Sequence, residues 1–407
     1  MKEFFRVVDL EEARALAGRF PVVATERVPL AGALGRVLAG DLVAAADLPG
    51  FRRATVDGFA VHAASTFGAS DSAPAMLCVV GSVEMGVCAG IEVAPGQAAR
   101  IPTGGMVPPG ADAVVMVEHA EEIDPTTIEI TRAVAPGQHV IEPSEDGRRG
   151  ERLLEQGTRL RPQEVGLLAA LGVREVEVRA RPVVAVLSTG DEVVPVEATP
   201  GPGEVRDVNS HTLSALVARA GGIPRPLGIV RDEFGALLLA CRAALAGADV
   251  VLLSGGSSVG ARDLTTEVLA ALPDGRVLLH GIAMKPGKPT ILADVGGKAF
   301  FGLPGHVVSA MVVFHALVRP CIDRIAGRRP GPATRIPARL SRNVASAHGV
   351  REFLRVRLEE RDDGLFAVPV PGKSGLLRTM VEADGLVEIA RDVEGLDAGA
   401  EVQVELL

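Results

Sequence analysis

The feature that most constrains the fold is a regular alternation of strand-like and helix-like segments across residues 183–318. Val183–Leu187 is continuously apolar, which is typical of a strand buried on both faces. Further short strands are predicted at Leu227–Val230, Val250–Leu253, Val277–His280 and Lys298–Gly302, and helices at Thr212–Ala220, Phe234–Ala246, Leu264–Leu272 and Val307–Val318. Strands that alternate with helices predict right-handed crossovers and a doubly wound parallel sheet. Ligands bind such sheets at the carboxyl ends of the strands, so a site is expected in the loops that follow them.

Short strands and turn signals characterise the rest of the chain. Val-rich runs such as Ala113–Val117 are broken by Pro-Gly turns, which predicts a β-rich region. Alternating runs such as Glu401–Leu406 predict a small all-β domain at the C-terminal end. A chain of 407 residues is also too long for one hydrophobic core. The sequence therefore predicts a multidomain α/β protein with a doubly wound domain, β-rich domains and a small C-terminal β domain.

Charge and residue counts exclude several classes of protein. The formal net charge is −9 and no run contains more than two basic residues, which argues against a nucleic-acid-binding surface. The four cysteines form neither a disulfide framework nor a CxxC metal site. Residues 1–5 lack the apolar core of a signal peptide, and the most apolar stretch, 298–320, contains Pro304 and two histidines, unlike a membrane span. We expect a cytoplasmic protein that binds neither nucleic acid nor membrane.

Lysine is rare in this chain, and its distribution is informative. Five lysines stand against 37 arginines, and two of the five lie in the motif Lys285-Pro286-Gly287-Lys288-Pro289. Two prolines and a glycine predict a rigid turn from which both ammonium groups project. A solvated loop with incidental lysines is the alternative, but the arginine bias argues against it. We predict that Lys285 and Lys288 bind a phosphate or another small oxyanion.

Carboxylates recur in the loops that follow the predicted strands. Asp191 and Glu192 follow the first strand, Asp232 follows the second, and Asp263 follows a Gly/Ser-rich loop. Each aspartate alone could be a helix N-cap, as Asp263 is placed to be. Because these loops gather at one sheet edge, we expect the carboxylates to share a site. Hard oxygen ligands beside phosphate-binding cations are what a Mg²⁺-assisted phosphoryl site needs.

The Gly/Ser-rich loop itself allows two interpretations. Gly256-Ser257-Ser258-Val259-Gly260 fits the nucleophile-elbow pattern between a strand and a helix, so a serine hydrolase with Ser258 as nucleophile and His306 or His315 as base is one alternative. The same loop can instead offer N–H groups and hydroxyls to an anionic ligand at a helix start. The second interpretation is favoured, because a hydrolase leaves the lysine pair and the acidic loops unexplained.

Motifs spread along the whole chain resemble those of the molybdopterin molybdenumtransferase family, to which the C-terminal domain of gephyrin also belongs. They are Pro49–Phe51 with Val56–Val61, Ile101–Gly105, Ser188–Glu192, Ser254–Asp263, the KPGKP motif and Gly302–Gly305. The resemblance implies a molybdenum-cofactor-binding fold for the doubly wound domain. It also implies four domains, an elongated homodimer and an active cleft between subunits. The implied domains are a helix/strand domain over 1–46 and 146–181, a β-rich inserted domain over 47–145, the molybdenum-cofactor-binding α/β domain over 182–328 and a C-terminal β domain over 329–407.

The activity implied by the resemblance is that of a transferase in molybdenum cofactor biosynthesis. Its substrates are molybdate and adenylylated molybdopterin; the metal is inserted into the dithiolene and AMP is released with the assistance of Mg²⁺. Other cofactor-biosynthesis proteins are implied as partners. Gephyrin also serves as a receptor-anchoring scaffold, so a non-catalytic scaffold is a further alternative, although nothing in the chain suggests an attached partner domain.

The resemblance carries functional roles to individual positions. The implied catalytic residues are Asp57, Thr103, Asp146, Glu192, Asp232 and Asp263, of which the last three would bind the metal. The implied substrate-binding residues are Gly255, Gly256, Ser257, Ser258, Lys285 and Lys288. The chain departs from a common form of the family pattern in three places: Arg52-Arg53 replaces Asp-Asn, Ile141–Ser144 replaces a more basic Gly-containing segment, and His306-Val307 replaces Asn-Pro.

Overall fold

The protein is described by a computed structural model, which covers residues 7–255, 264–331 and 334–407. The chain divides into two compact units. The first comprises Met1–Gly40, Gln156–Arg161 and Glu175–Leu407, and the second comprises Asp41–Glu155 and Pro162–Arg174. Within the described ranges, no helix is both long enough and apolar enough to cross a membrane.

A six-stranded mixed sheet forms the centre of the first unit. In spatial order its strands are Ile223–Val230, Val183–Thr189, Val250–Ser254, Lys298–Leu303, Ile291–Val295 and Gly275–His280. The first four run parallel to one another, which confirms the doubly wound arrangement. Buried side chains alternate along the second of these strands, with Val184 and Val186 in one core and Ala185 and Leu187 in the other. This strand is therefore buried on both faces, as its apolar run predicts.

The edge of this sheet differs from the prediction. Ile291–Val295, which was not predicted, runs antiparallel to both of its neighbours, Lys298–Leu303 and Gly275–His280. It is joined to Lys298–Leu303 by Gly296 and Gly297, both at positive φ (59° and 80°), as a two-residue hairpin turn requires. Since a hairpin reverses the chain without a crossover helix, the expectation of a wholly parallel sheet was wrong at this edge.

The first unit also contains helices. They are Leu10–Ala17, Asn209–Arg219, Phe234–Ala246, Leu264–Ala271, Val307–Val313, Arg319–Ile325 and Arg378–Val381, with the π-helical stretch Phe314–Val318 and the 3₁₀ turn Leu30–Gly32. The helix predicted at Phe234–Ala246 is confirmed at both ends, whereas the one predicted at Thr212–Ala220 begins at Asn209. The first helix begins after Asp9, whose carboxylate accepts a hydrogen bond from the Glu12 N–H at 2.7 Å.

The C-terminal part of the first unit is a β-sheet that closes on itself. Its strands are Met284–Lys285, Arg351–Arg361, Gly364–Pro369, Arg335–Leu340, Glu401–Leu406 and Gly385–Ile389, and an additional pairing joins Arg351–Arg361 to Gly385–Ile389. Smaller pairs are Thr25–Pro29 with Glu175–Arg179, Val193–Val194 with Val205–Arg206, and Val344–Ala345 with Gly395–Leu396. The predicted C-terminal β architecture is thus confirmed.

The second unit is built on another six-stranded sheet. Its strands in spatial order are Ala113–Met116, Gly58–Val61, Gln97–Ile101, Ala75–Ser82, Thr127–Ile130 and Ala120–Asp124. Side chains pack on both faces, with Phe59 and Val61 in one core and Ala60 in the other. The remaining elements are the paired strands Arg53–Ala54 with Val140–Ile141 and Leu42–Val43 with Arg152–Leu154, the helix Pro162–Ala170, and the 3₁₀ turns Ala63–Thr66 and Val117–His119.

Candidate functional site

A cleft of about 960 Å³ opens at the carboxyl ends of the parallel strands in the first unit. Its walls come from Ser188–Gly190 and Glu192 at the end of one strand, Ser254-Gly255 at the end of the next, and Pro304–Val307 after the third. Gly375 of the C-terminal β-sheet region also lines it. This is the edge at which doubly wound sheets bind ligands.

Two of the predicted metal ligands line this cleft. Asp232 accepts a hydrogen bond from the hydroxyl of Thr189, the last residue of its strand, and the Asp232 N–H donates to Asp191 Oδ1 at 3.3 Å. The Glu192 side chain is exposed and has no hydrogen-bond partner in the part of the chain that the structure covers. Mg²⁺ usually takes one or two protein carboxylates together with substrate phosphates, and Glu192 and Asp232 provide two carboxylates in one cleft.

The third predicted ligand, Asp263, lies outside the described residues, as do Gly256, Ser257 and Ser258. Among the residues that are described, no group of three or more His, Cys, Asp or Glu side chains could hold a metal ion. Of the predicted ligands, the structure describes only Glu192 and Asp232 as residues that could hold Mg²⁺.

Gly255 occupies a position at which no residue with a side chain would fit. Its φ is +102°, and a Cβ there would lie 2.1 Å from the backbone oxygen of Thr189. Its own N–H donates to the Leu303 carbonyl at 3.2 Å. Gly255 therefore allows the ends of two neighbouring strands to approach closely, while its N–H is already used within the sheet.

The cleft also contains polar residues that the sequence analysis did not single out. Asn209 Nδ2 donates to Ser254 Oγ at 2.6 Å and to the Gly305 carbonyl at 2.8 Å, which joins the ends of two strands. Its Oδ1 atom is buried and has no hydrogen-bond partner within the described ranges. Buried Asp207 accepts hydrogen bonds from the Ser188 hydroxyl (2.8 Å) and the Ser210 N–H (3.0 Å). The Asp-Val-Asn-Ser sequence at this helix start was the available signal.

The two lysines of the KPGKP motif lie in different environments. Met284–Lys285 adds a short parallel strand to Arg351–Glu352 of the C-terminal sheet, and Lys285 Nζ lies 2.9 Å from Glu352 Oε1. Lys288 is exposed and has no ion-pair or side-chain hydrogen-bond partner among the described residues. Of this motif, only Pro289 is among the described residues that line the cleft. The motif therefore presents one paired and one unpaired cation rather than two equivalent ones.

In the second unit, Asp57 and Thr103 contact each other directly. Asp57 Oδ1 accepts hydrogen bonds from the Thr103 N–H at 2.7 Å and from its hydroxyl at 3.0 Å. These bonds, the backbone one first, lower the pKa of Asp57, so this carboxylate is held ionised. Asp57 lines a groove of about 270 Å³ together with Arg100 and Glu122, which form an ion pair at 2.8 Å.

The stretch 48–57 of the second unit links the three predicted residues of that unit, Asp57, Thr103 and Asp146. The Asp146 N–H donates to the Leu48 carbonyl at 2.9 Å, and the Gly104 N–H donates to the Ala54 carbonyl at 2.8 Å. The loops that carry Thr103 and Asp146 are thus both hydrogen-bonded to the stretch that leads to Asp57.

Two of the three departures from the family pattern contact each other. Arg52 Nη2 lies 2.9 Å from Glu142 Oε1, Arg52 Nε reaches both carboxylate oxygens at 3.1 Å, and Nη1 donates to the Ala111 carbonyl at 2.8 Å. Arg52 belongs to one departure and Glu142 to another, so the two departures meet in one forked ion pair.

The histidines proposed for a hydrolase are engaged elsewhere. His315 is buried, and burial followed by the charges of Arg219 and Arg319 lowers its pKa to about 3. Its Nε2 atom lies 3.3 Å from Arg219 Nη2, and His306 Nδ1 lies 2.9 Å from Ser374 Oγ. A catalytic triad needs a carboxylate that orients the histidine, and neither imidazole has one among its described hydrogen bonds.

Three protein families match consecutive parts of the chain. Residues 8–172 match "MoeA N-terminal region (domain I and II)", residues 185–324 match "Probable molybdopterin binding domain", and residues 337–407 match "MoeA C-terminal region (domain IV)". Together these ranges span most of the sequence.

Full-length relatives agree with these matches. The chain is 32% identical over 387 residues to molybdopterin molybdenumtransferase of Bacillus subtilis, covering 94% of this chain and 90% of that protein. It is 35% identical over 407 residues to molybdopterin molybdenumtransferase 2 of Mycobacterium tuberculosis, covering 97% and 98%. A crystal structure of molybdopterin biosynthesis moeA protein from Pyrococcus horikoshii OT3 superposes with a TM-score of 0.85 at 32% identity, covering 99% and 100%. These names give no support to a hydrolase.

Proposed function

The chain belongs to the molybdopterin molybdenumtransferase (MoeA) family and is an enzyme of molybdenum cofactor biosynthesis, and we propose that it transfers molybdenum from molybdate to adenylylated molybdopterin with Mg²⁺-assisted release of AMP. The observation that carries the proposed reaction is that Glu192 and Asp232 line one cleft at the carboxyl edge of the sheet. The same proposal includes a cytoplasmic location and interaction with other cofactor-biosynthesis proteins. It also includes four domains, with the boundaries 1–46 with 146–181, 47–145, 182–328 and 329–407.

The charges in the cleft support a role for a bound cation. The ionisable residues that line it are Glu192, Asp207, Asp232, Arg206 and His306. An adenylate anhydride brings further negative charge, and cleavage moves more of it onto phosphate oxygens. A bound Mg²⁺ would neutralise this charge as a Lewis acid. Glu192 and Asp232 would hold the ion, the first through a free carboxylate and the second from a position fixed by Thr189.

The remaining predicted residues have separate roles in this proposal. Lys288 is exposed and unpaired within the described ranges, so it is available for the tetrahedral molybdate anion. Gly255 lines the cleft and lets the ends of two neighbouring strands meet at its wall. Asp57, Thr103 and Asp146 would complete the cleft from the partner subunit of a homodimer, in line with the expectation from the family.

A direct test is AMP release from adenylylated molybdopterin in the presence of molybdate. We expect excess chelator to lower the rate at least about tenfold and added Mg²⁺ to restore it, because the acidic cleft cannot otherwise accommodate the developing phosphate charge. Chromatographic quantification of AMP measures both rates. Equal rates with chelator and with Mg²⁺ would remove the metal role from Glu192 and Asp232, and absence of AMP under all conditions would refute the proposed reaction.

A second test addresses the cleft between subunits. Asp57→Asn and Asp232→Asn are each expected to be inactive. When the two variants are co-expressed, about half of the dimers contain one copy of each, and one of their two clefts then combines two intact contributions. We expect AMP release to recover to about a quarter of the wild-type rate. If each active site is formed by one chain, no activity returns, and the shared-cleft arrangement is wrong.

A further inference from the structure

His306 connects the sheet of the first unit to the C-terminal β-sheet region. It follows the strand Lys298–Leu303 and directly precedes the helix Val307–Val313, without bonding to that helix through its side chain. Its Nδ1 atom lies 2.9 Å from Ser374 Oγ, and the Val308 N–H donates to the Ser374 carbonyl at 3.1 Å. One residue of the C-terminal region therefore receives both a side-chain and a backbone contact from the start of this helix.

The segment that carries Ser374 is fixed at its base by a different residue. Ser374 lies between the strand Gly364–Pro369 and the helix Arg378–Val381. Arg355 donates to the Gly372 carbonyl and to the Thr379 hydroxyl, both at 2.6 Å, and so holds the segment on either side of Ser374. These bonds stay within the C-terminal region, whereas the two contacts of Ser374 cross to the cleft.

The contact lies at the rim of the cleft. His306 and Gly375 both line it, and they come from the two sides of the contact. An ideal Cβ on Gly375 would lie 3.9 Å from the His306 ring, so the segment packs close to the imidazole. A displacement of Ser374 would therefore change the opening through which substrates reach Glu192 and Asp232.

The chemistry of the contact explains the third departure from the family pattern. Asparagine Oδ1 and histidine Nδ1 occupy equivalent positions on the side chain, one atom beyond Cγ. A histidine in place of the more common asparagine therefore keeps a hydrogen-bonding atom at that position. Glutamine has its polar atoms one bond further out, so it matches Nε2 instead.

We propose that His306 is a positioning residue, which holds residues 371–377 at the cleft rim through Ser374 and thereby sets substrate affinity. This inference rests on the proposed function, because it assigns the cleft to the pterin substrate. The hydrogen bond to Ser374 depends on where the Nδ1 atom of His306 lies, and not on the charge of the ring. A single neutral hydrogen bond changes an equilibrium by roughly two- to tenfold, so effects of that size are expected.

The test compares His306→Asn, His306→Gln, His306→Ala and Ser374→Ala in the full chain by two measurements. The first is amide hydrogen exchange over 372–377, which needs no substrate. Exchange should accelerate roughly two- to tenfold in the Gln, Ala and Ser374→Ala variants and stay near wild type in His306→Asn. The double variant His306→Ala/Ser374→Ala should be no faster than either single variant, because both remove the same bond. Lys373→Ala, which changes an adjacent exposed side chain, is the matched control.

The second measurement separates KM from kcat in AMP release. The three variants that lose the contact should raise KM for the pterin roughly two- to tenfold and leave kcat within about twofold, whereas a purely structural role would also lower the unfolding temperature and spare KM. Unchanged exchange in His306→Gln and His306→Ala would overturn the proposal, as would faster exchange with unchanged KM. If the wild type releases no AMP, the proposed function fails while the exchange data still decide whether His306 holds the segment.

Discussion

Asp232→Asn should lower AMP release at least about a hundredfold, which corresponds to roughly 2.7 kcal/mol of transition-state stabilisation. Asparagine keeps the size of the side chain and an oxygen that can accept the hydrogen bond from the Thr189 hydroxyl. It removes the negative charge that a hard cation requires. Single-turnover measurement of AMP gives the rate, and thermal unfolding should stay near that of the wild type because the structural hydrogen bond survives.

Asp191→Asn is the matched control for this prediction. Asp191 lies in the same cluster of loops and accepts the Asp232 N–H through Oδ1. An amide oxygen can accept that bond equally well, and Asp191 is not among the described residues that line the cleft. AMP release should therefore stay within about threefold of wild type. Wild-type turnover in Asp232→Asn would mean that the cleft works without this carboxylate.

The sequence predicted the central sheet well because its signals are local. A strand such as Val183–Thr189 is buried on both faces and so consists of a continuous apolar run, and the helices between strands carry their own periodicity. The strand Ile291–Val295 was missed because it follows the KPGKP motif without an intervening helix, so the strand–helix alternation does not indicate it. Gly296-Gly297 was the available signal for that hairpin.

The contacts that distinguish individual site residues are non-local, and this limits what the sequence can predict about them. Nothing near Lys285 indicates that Glu352, on a strand of another sheet, lies 2.9 Å from its ammonium group. The pairing of His306 with Ser374 is equally remote along the chain. Residue types and their order in the chain indicated the chemistry of the site, but only the fold separates a free lysine from a paired one.

Lys288→Arg should lower molybdate-dependent turnover at least about tenfold, or roughly 1.4 kcal/mol of transition-state stabilisation. Both side chains are cationic at neutral pH, so simple charge would be preserved. The guanidinium is larger and planar, and its forked geometry does not match a compact ammonium in a turn bounded by prolines. That turn is also tightly packed: a Cβ on Gly287, at φ +117°, would lie 2.4 Å from the Val313 side chain. Lys373→Arg, at an exposed position, is the neutral control.

Lys285 should respond differently, since its ammonium group is already paired with Glu352. The Lys285 side chain is 58% exposed and that of Glu352 is 15% exposed, so solvent weakens the pair and Lys285→Met should cost only about 1 kcal/mol of unfolding free energy. Lys288→Met should lower turnover without this loss, because Lys288 has no partner to lose among the described residues. Lys373 is a better control than Lys298, because the Lys298 Nζ donates to the Leu245 carbonyl at 2.6 Å. If Lys288→Arg turns over like wild type while Lys285→Arg does not, Lys285 binds the oxyanion. The assignment of oxyanion binding to Lys288 and of a structural ion pair to Lys285 would then be wrong.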